Sequence, residues 1–270
     1  MTATDKVFAG SVPEIYDRLL VPLIFEPYAT DLAGRIAAGK PHDVLETAAG
    51  TGVLTRALAA RLSPDVRITA TDLNQPMLDK ATARQSDPRR VTWRQADALA
   101  LPFPDRSFDV VACQFGVMFF PDKVQGYRES RRVLRPDGTF WFAVWDEIAT
   151  SEFADVVTET LAAMFPQDPP RFMARTPHGY CDTDLIRKQL NEAGFSNVSI
   201  EAIDHRSKAP SPREPAVAYC QGTPLRNEIE ARDKSRLEEA TKKCAEAIDR
   251  RFGSGAVDGR IRAFIISAGR

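Results

Sequence analysis

Asp43-Val44-Leu45-Glu46-Thr47-Ala48-Ala49-Gly50-Thr51-Gly52 is the stretch on which the architecture turns. A short apolar strand runs into Glu46, a loop of small residues follows, and a helix opens at Val53. Small side chains let a backbone approach a ligand, and glycine reaches positive φ at no steric cost. Exposed amides at a helix start favour an anion such as a carboxylate or phosphate. Taken alone, a G-x-G loop fits a plain strand-to-helix turn equally well.

Outward from this loop, short apolar runs alternate with amphipathic ones, the pattern of a parallel sheet covered on both faces. The spacing predicts strands at Asp43–Thr47, Val66–Thr71, Val91–Gln95, Phe108–Gln114, Thr139–Trp145, Val198–Ile203 and Arg260–Ser267. Helices are predicted near 53–62, 75–84, 122–135 and 183–193, with Asn74 and Asp182 as N-caps and Gly194 as a C-terminal stop. Residues 1–40 read as two helices, around 12–20 and 27–38, with Pro22 and Pro27 bending the path and Ser11 and Glu14 at capping-box spacing. Residues 146–181 and 206–258 interrupt the alternation. In the second, Leu237, Thr241, Cys244, Ile248 and Phe252 share one helical face.

Two further strand ends carry acids. Asp72 closes the second strand twenty residues after Gly52, where a carboxylate can accept hydrogen bonds from ribose hydroxyls. Asp97-Ala98 close the third. A carboxylate there can accept from an exocyclic adenine amine while the Ala98 amide donates to a ring nitrogen. Each acid also fits an ordinary strand-end turn. A nicotinamide-dependent oxidoreductase shares Asp72 but needs G-x-G-x-x-G, and Thr55 stands where the third glycine belongs.

Four segments then occur in order: Glu46-Thr47-Ala48-Ala49-Gly50-Thr51-Gly52; Thr71-Asp72-Leu73-Asn74-Gln75-Pro76-Met77-Leu78; Ala96-Asp97-Ala98 with Leu101-Pro102-Phe103; and Val133-Leu134-Arg135-Pro136-Asp137-Gly138. Together they resemble the class I S-adenosylmethionine-dependent methyltransferases, in the flavour of the quinone-biosynthesis C-methyltransferases. The resemblance covers about 10–145 well and the tail loosely. It implies an α/β, Rossmann-like fold, a seven-stranded, mostly parallel sheet whose antiparallel last strand inserts between the fifth and sixth, plus helical lid insertions. It implies one methyltransferase domain over 1–270: an N-terminal helical lid at 1–40, a cofactor-binding core at 41–145, and helical caps at 146–181 and 206–258.

The resemblance also implies roles. The cofactor is S-adenosyl-L-methionine. Glu46 helps fix its methionine amino end, and Ala48, Gly50 and Gly52 line it. Asp72 takes the ribose, Leu73 and Met77 pack on the adenine, and Asp97 and Ala98 read the adenine edge. Gln114 borders the methionine portion, and Tyr16 reaches the carboxylate. The family often has glycine where this chain has Ala48.

No catalytic residue is assigned. His178, in Pro177-His178-Gly179-Tyr180, is a candidate base, with a surface loop histidine as the plainer reading; His205 reads as surface. Phe115, Met118, Phe119 and Phe120 can wall an aromatic or isoprenoid acceptor, or simply fill the core.

Thirty-six Lys and Arg against thirty-seven Asp and Glu argue against a broad nucleic-acid face. Arg131, Arg132 and Arg135 form a small basic patch. Three scattered histidines and four cysteines without C-x-x-C argue against a metal site. No signal peptide is legible, and no apolar run approaches the ~20 residues of a membrane span. The expectation is therefore a cytoplasmic enzyme methylating a small, aromatic or lipophilic molecule, with oligomeric state open. The alternative is a non-catalytic module binding S-adenosylmethionine or S-adenosylhomocysteine.

Overall fold

Val44 and Leu45, both fully buried, place Asp43–Glu46 in the middle of a sheet, as continuously apolar parallel strands require. The computed structural model describes residues 12–87 and 89–270. Its strands are β1 (Asp43–Glu46), β2 (Arg67–Asp72), β3 (Val91–Gln95), β4 (Phe108–Gln114), β5 (Leu134–Trp145), β6 (Ser196–Ala209) and β7 (Val257–Gly269). Their spatial order is β3-β2-β1-β4-β5-β7-β6. β1 pairs in parallel with β2 and β4, β2 with β3, and β4 with β5.

β7 runs the other way. The Arg270 amide bonds to Gly138 O at 3.1 Å and the Asp146 amide to Arg262 O at 3.2 Å, so positions rise along β5 as they fall along β7. This is the antiparallel insertion that the resemblance implied. β5 begins five residues earlier than Thr139 because Arg135-Pro136-Asp137-Gly138 bulge out of the ladder. Phe108 pairs with Leu134, and the next pair is Val110 with Thr139. A bulge is where a strand tolerates proline.

The chain divides into two units. One holds 27–144, 181–203 and 264–270, and thus β1–β4 and nearly all of β5. Its helices include Glu26–Ala38 (apart from its first residue), Val53–Arg61, Gln75–Arg84, Lys123–Val133 and Thr183–Glu192. Asp122 caps one by accepting the Gln125 amide at 2.9 Å, and Asp182 caps another by accepting from Asp184 and Leu185. Gly194 stops the latter at φ +91°.

The other unit holds 12–26, Trp145–Tyr180 and Asp204–Ala263. Helices Glu152–Met164, Arg213–Gln221 and Leu237–Phe252 pack together through buried Phe153, Val157, Ala216, Tyr219, Ala240, Cys244 and Ile248. The expected stripe on 237–252 is thus core contact, with Phe252 edge-on to Phe153 at 5.0 Å. At the start, the expected break at Pro22 does not occur. Tyr16–Phe25 form a π-helix that continues through Pro22 into Glu26–Ala38, with the Glu26 amide bonded to Val21 O five residues back. Ser11 of the expected capping box lies outside the described residues. No helix among the described residues is long and apolar enough to cross a membrane.

Candidate functional site

The loop after β1 is tied to both neighbouring strands. The Thr47 amide donates to Ala112 O beyond one side and the Ala49 amide to Thr71 O beyond the other, each at 2.9 Å. Three loop residues take positive φ: Ala48 at 53°, Gly50 at 57° and Gly52 at 79°. For Ala48 this conformation is strained, by roughly 1–2 kcal/mol. Gly50 faces open space, whereas a Cβ on Gly52 would meet Trp93 at 2.9 Å and Ala81 at 3.2 Å. Glycine at 52 thus serves the close seating of helix Val53–Arg61 against β3 and helix Gln75–Arg84.

Glu46 points into this construction. Its carboxyl is 1% exposed and accepts the Thr55 hydroxyl at 2.5 Å. Burial pushes it up to about 8, with the Thr55 hydrogen bond opposing. Thr51 reaches back through its carbonyl, which accepts Arg56 Nη1 at 2.6 Å. The Thr51 hydroxyl is buried and has no hydrogen-bond partner among the described residues.

Asp72 organises the adjoining strand ends. One carboxylate oxygen accepts the Gly50 amide at 2.9 Å, and the other accepts the Asn74 amide at 2.8 Å and its side-chain amide at 3.4 Å. Asn74 occupies the N-cap position of Gln75–Arg84, yet its side chain serves Asp72 and makes no cap bond. That corrects the expected cap: the Asn74 side chain is turned to donate to the buried carboxylate, and its oxygen accepts no helix amide. Burial raises the Asp72 pKa against these hydrogen bonds. Each oxygen keeps acceptor capacity toward a ligand. The Ala96 amide donates to Asp72 O, drawing the end of β3 alongside. Asp97 then makes an Asx turn with the Leu99 amide at 2.9 Å, leaving Ala98 half-buried beside it.

The apolar partners differ in exposure. Met77 is buried, whereas Leu73 is 47% exposed, one of two large apolar side chains so placed among the described residues. On the other side of β1, Gln114 ends β4 buried, and Phe115 turns the chain at φ 54°. Phe115, Met118 and Phe120 are buried and Phe119 half-buried. Phe120 is held against Gly126, where a Cβ would lie 2.5 Å from its ring.

Glu46, Ala48, Gly50, Gly52, Asp72, Leu73, Asp97, Ala98 and Gln114 thus lie at the C-terminal ends of β1–β4 or in the turns that follow them, and Met77 in the first turn of helix Gln75–Arg84, all in one unit. Tyr16 and His178 belong to the other unit. Tyr16 is half-buried with its ring 5.2 Å from Phe25. His178 is buried, not a surface residue, and its Nδ1 donates to Asp146 O at 2.7 Å. His205 is half-buried.

Several contributors escaped sequence reasoning. Thr51 and Thr55 read as ordinary small loop and helix residues. Gly116 signals nothing locally, yet a Cβ there would lie 2.5 Å from the Ala48 methyl and 2.7 Å from Cys113 Sγ. Arg132 braces the loop after Asp97 by donating to Leu101 O and Phe103 O while pairing with Glu129 and Asp105. With Arg135 paired to Asp43 and Asp109, and Arg131 bonded to Gly194 O, the basic patch is turned to internal work.

The site suits a nucleoside with a charged tail. The chain offers an open cradle at Gly50, an orphaned buried hydroxyl at Thr51, a desolvated acceptor at Asp72 and a bare apolar side chain at Leu73. Residues 44–138 match the family model described as a methyltransferase domain. A demethylmenaquinone methyltransferase of Lactobacillus johnsonii is 30% identical over 59% of this chain and 70% of that protein. A ubiquinone/menaquinone biosynthesis C-methyltransferase of Burkholderia cenocepacia is 33% identical over 57% of this chain and 68% of its own. Among solved structures, a phosphoethanolamine N-methyltransferase of Haemonchus contortus, bound to phosphomonomethylethanolamine and S-adenosylhomocysteine, superposes with a TM-score of 0.61. It is 15% identical, over all of this chain and 61% of its own. With strand order, strand-end acids and sequence in agreement, the chain belongs to the class I S-adenosylmethionine-dependent methyltransferases.

Proposed function

We propose that the protein transfers a methyl group from S-adenosylmethionine to a small aromatic or lipophilic molecule of quinol type. The cofactor class follows from the family. The acceptor class is our reading, supported by the names of the relatives above. The observation that carries the cofactor assignment is the Asp72 carboxylate. It is buried, hydrogen-bonded to Gly50 and Asn74, and still has lone pairs to offer.

In this reading Asp72 holds the ribose hydroxyls, and Leu73 and Met77 cover the adenine. Asp97 and Ala98 read its edge. Gly50 and Ala48 pass beneath the methionine portion, and Glu46 and Gln114 attend its polar end. Bound there, S-adenosylmethionine supplies a sulfonium methyl that is already electrophilic. The work left to the chain is to hold a nucleophile in line and exclude water. The rigid frame serves that work: the loop is fixed to both neighbouring strands, and Glu46 is locked on Thr55.

Calorimetric titration with S-adenosylmethionine, S-adenosylhomocysteine and NADH tests this directly. Binding of the first two and silence from NADH is expected; binding of NADH alone overturns the reading.

A further inference from the structure

We propose that Glu46 gives up a proton when the cofactor binds, so that the methionine end is received by a carboxylate which the free protein keeps neutral. The inference rests on the methyl-transfer reading and adds to it a proton released on binding.

The cofactor loop lies between two buried acids of one unit. Glu46 ends β1 and Asp72 ends β2, both withdrawn from water. Neither carboxyl makes an ion pair among the described residues. Glu46 accepts from one neutral hydroxyl, that of Thr55 at 2.5 Å. Asp72 accepts from the Gly50 amide and from both amides of Asn74. A carboxylate taken out of water without a cation is costly, and a like charge nearby raises the cost, so one of such a pair keeps its proton. Asp72 has three donors that favour its charged form and Glu46 has one, so the proton stays on Glu46. Burial holds it there up to about 8.

The other charged and titratable groups that act on Glu46 come from the helix after the loop and from β4. Arg56, on helix Val53–Arg61, favours the ionised form but directs Nη1 to Thr51 O at 2.6 Å. The Cys113 thiol on β4 is fully buried and holds its own proton up to about 12, so it takes no part. The free loop therefore lacks a cation placed on Glu46. The methionine end of the cofactor carries one, its ammonium group. An opposite charge within about 4–6 Å lowers a carboxyl pKa by about 1–3, which takes Glu46 from about 8 to below neutrality. The O–H bond of the Glu46 carboxyl breaks, its proton passes to the buffer, and the ammonium keeps its own protons. The Thr55 hydroxyl suits both forms, because it can donate or accept.

Calorimetric titration at about pH 7 in phosphate and in Tris, buffers of different ionisation enthalpy, counts the protons exchanged on binding. The ligands are S-adenosylhomocysteine and 5′-methylthioadenosine, which keeps the nucleoside and lacks the amino-acid end. Any proton moved at Asp72 by the ribose is common to both and cancels. Wild type should release about half a proton or more in excess with S-adenosylhomocysteine. Glu46→Gln, neutral at every pH, should show no excess. Wild-type affinity for S-adenosylhomocysteine should rise about three- to fivefold from pH 6.5 to pH 7.5, and Glu46→Gln should lose most of that rise. An acid with a purely structural role would leave the proton count unmoved. Equal counts for the two ligands in wild type, or an excess that persists in Glu46→Gln, overturn the proposal. If Glu46→Gln does not fold, the two ligands compared in wild type decide. If 5′-methylthioadenosine binds too weakly to count, wild type and Glu46→Gln compared with S-adenosylhomocysteine decide. Failure of wild type to bind either ligand would instead remove the methyl-transfer reading itself.

Discussion

Ala48 and Gly116 meet face to face: a Cβ on Gly116 would sit 2.5 Å from the Ala48 methyl. The methyl that this chain carries in its cofactor loop is therefore accommodated by the residue two places beyond β4. Ala48 itself is held at φ 53°. Gly116→Ala should cost about 1–3 kcal/mol of stability through overpacking and weaken cofactor binding by shifting the loop. Ala48→Gly should raise the melting temperature by relieving the left-handed strain, and should partly rescue Gly116→Ala. Thermal melts of the two single variants and the double variant check the coupling.

Asp72 and Leu73 are adjacent but should separate binding from stability. Asp72→Ala leaves the Gly50 and Asn74 amides without their acceptor. It is expected to lower both the melting temperature and the cofactor affinity, the latter by tenfold or more. Leu73→Ala removes a side chain that is half exposed. Its stability should stay within about 0.5 kcal/mol of wild type while affinity for S-adenosylhomocysteine falls. Calorimetry alongside melts reads both.

Glu46 sets a pH dependence of the cofactor-free protein. Its carboxyl is raised from 4.5 to about 8 by burial, so the native state holds that proton more tightly than the unfolded chain. The stability this supplies is complete below pH 4.5 and is lost as pH rises through 8, on the order of a few kcal/mol. Glu46→Gln, which stays neutral, should flatten this decline. Asp72, shifted in the same direction, keeps part of it. Urea titrations from pH 5 to pH 9 measure the slopes.

The opposite end of β1 carries the opposite sign. Asp43 is held below its ordinary value by hydrogen bonds from Arg67 and from Arg135. Its contribution is present above the unfolded value of 3.8 and is lost as pH falls through the lower folded value. Asp43→Asn should destabilise the protein by about 1–3 kcal/mol at neutral pH and by less in acid. Acid unfolding curves of the two proteins should converge.

Much of this was legible in the residues, and the reasons for success and failure are local. Val44 and Leu45 announce a central strand, and the Asp182 side chain and the Gly194 backbone act within their own turns. β5 starts earlier than its apolar run because the turn-like Arg135-Pro136-Asp137-Gly138 is absorbed as a bulge, a choice made by pairing with β4. Pro22 should have broken its helix. A π-helical turn has already given up the ordinary bond to the fourth residue back, so the missing amide costs little there. Asn74 was misread because its side chain donates to Asp72, whose burial is imposed by the fold, instead of accepting from the helix amides. His178 was hidden because its partner lies 32 positions upstream. The small residues of the loop declared a close approach, but not that Gly50 opens outward and Gly52 packs inward.

The place of β7 also governs how the molecule comes into being. β6 lies at the rim of the sheet, and its neighbour there is β7. Residues 196–209 therefore have no strand to pair with until 257–269 have left the ribosome, after three α-helices and a short 3-10 helix have intervened. In that interval the nascent chain carries two unsatisfied edges, one on β5 and one on β6. Such edges invite mispairing. Closing them depends on contacts far apart in sequence, the kind of pairing that slows folding.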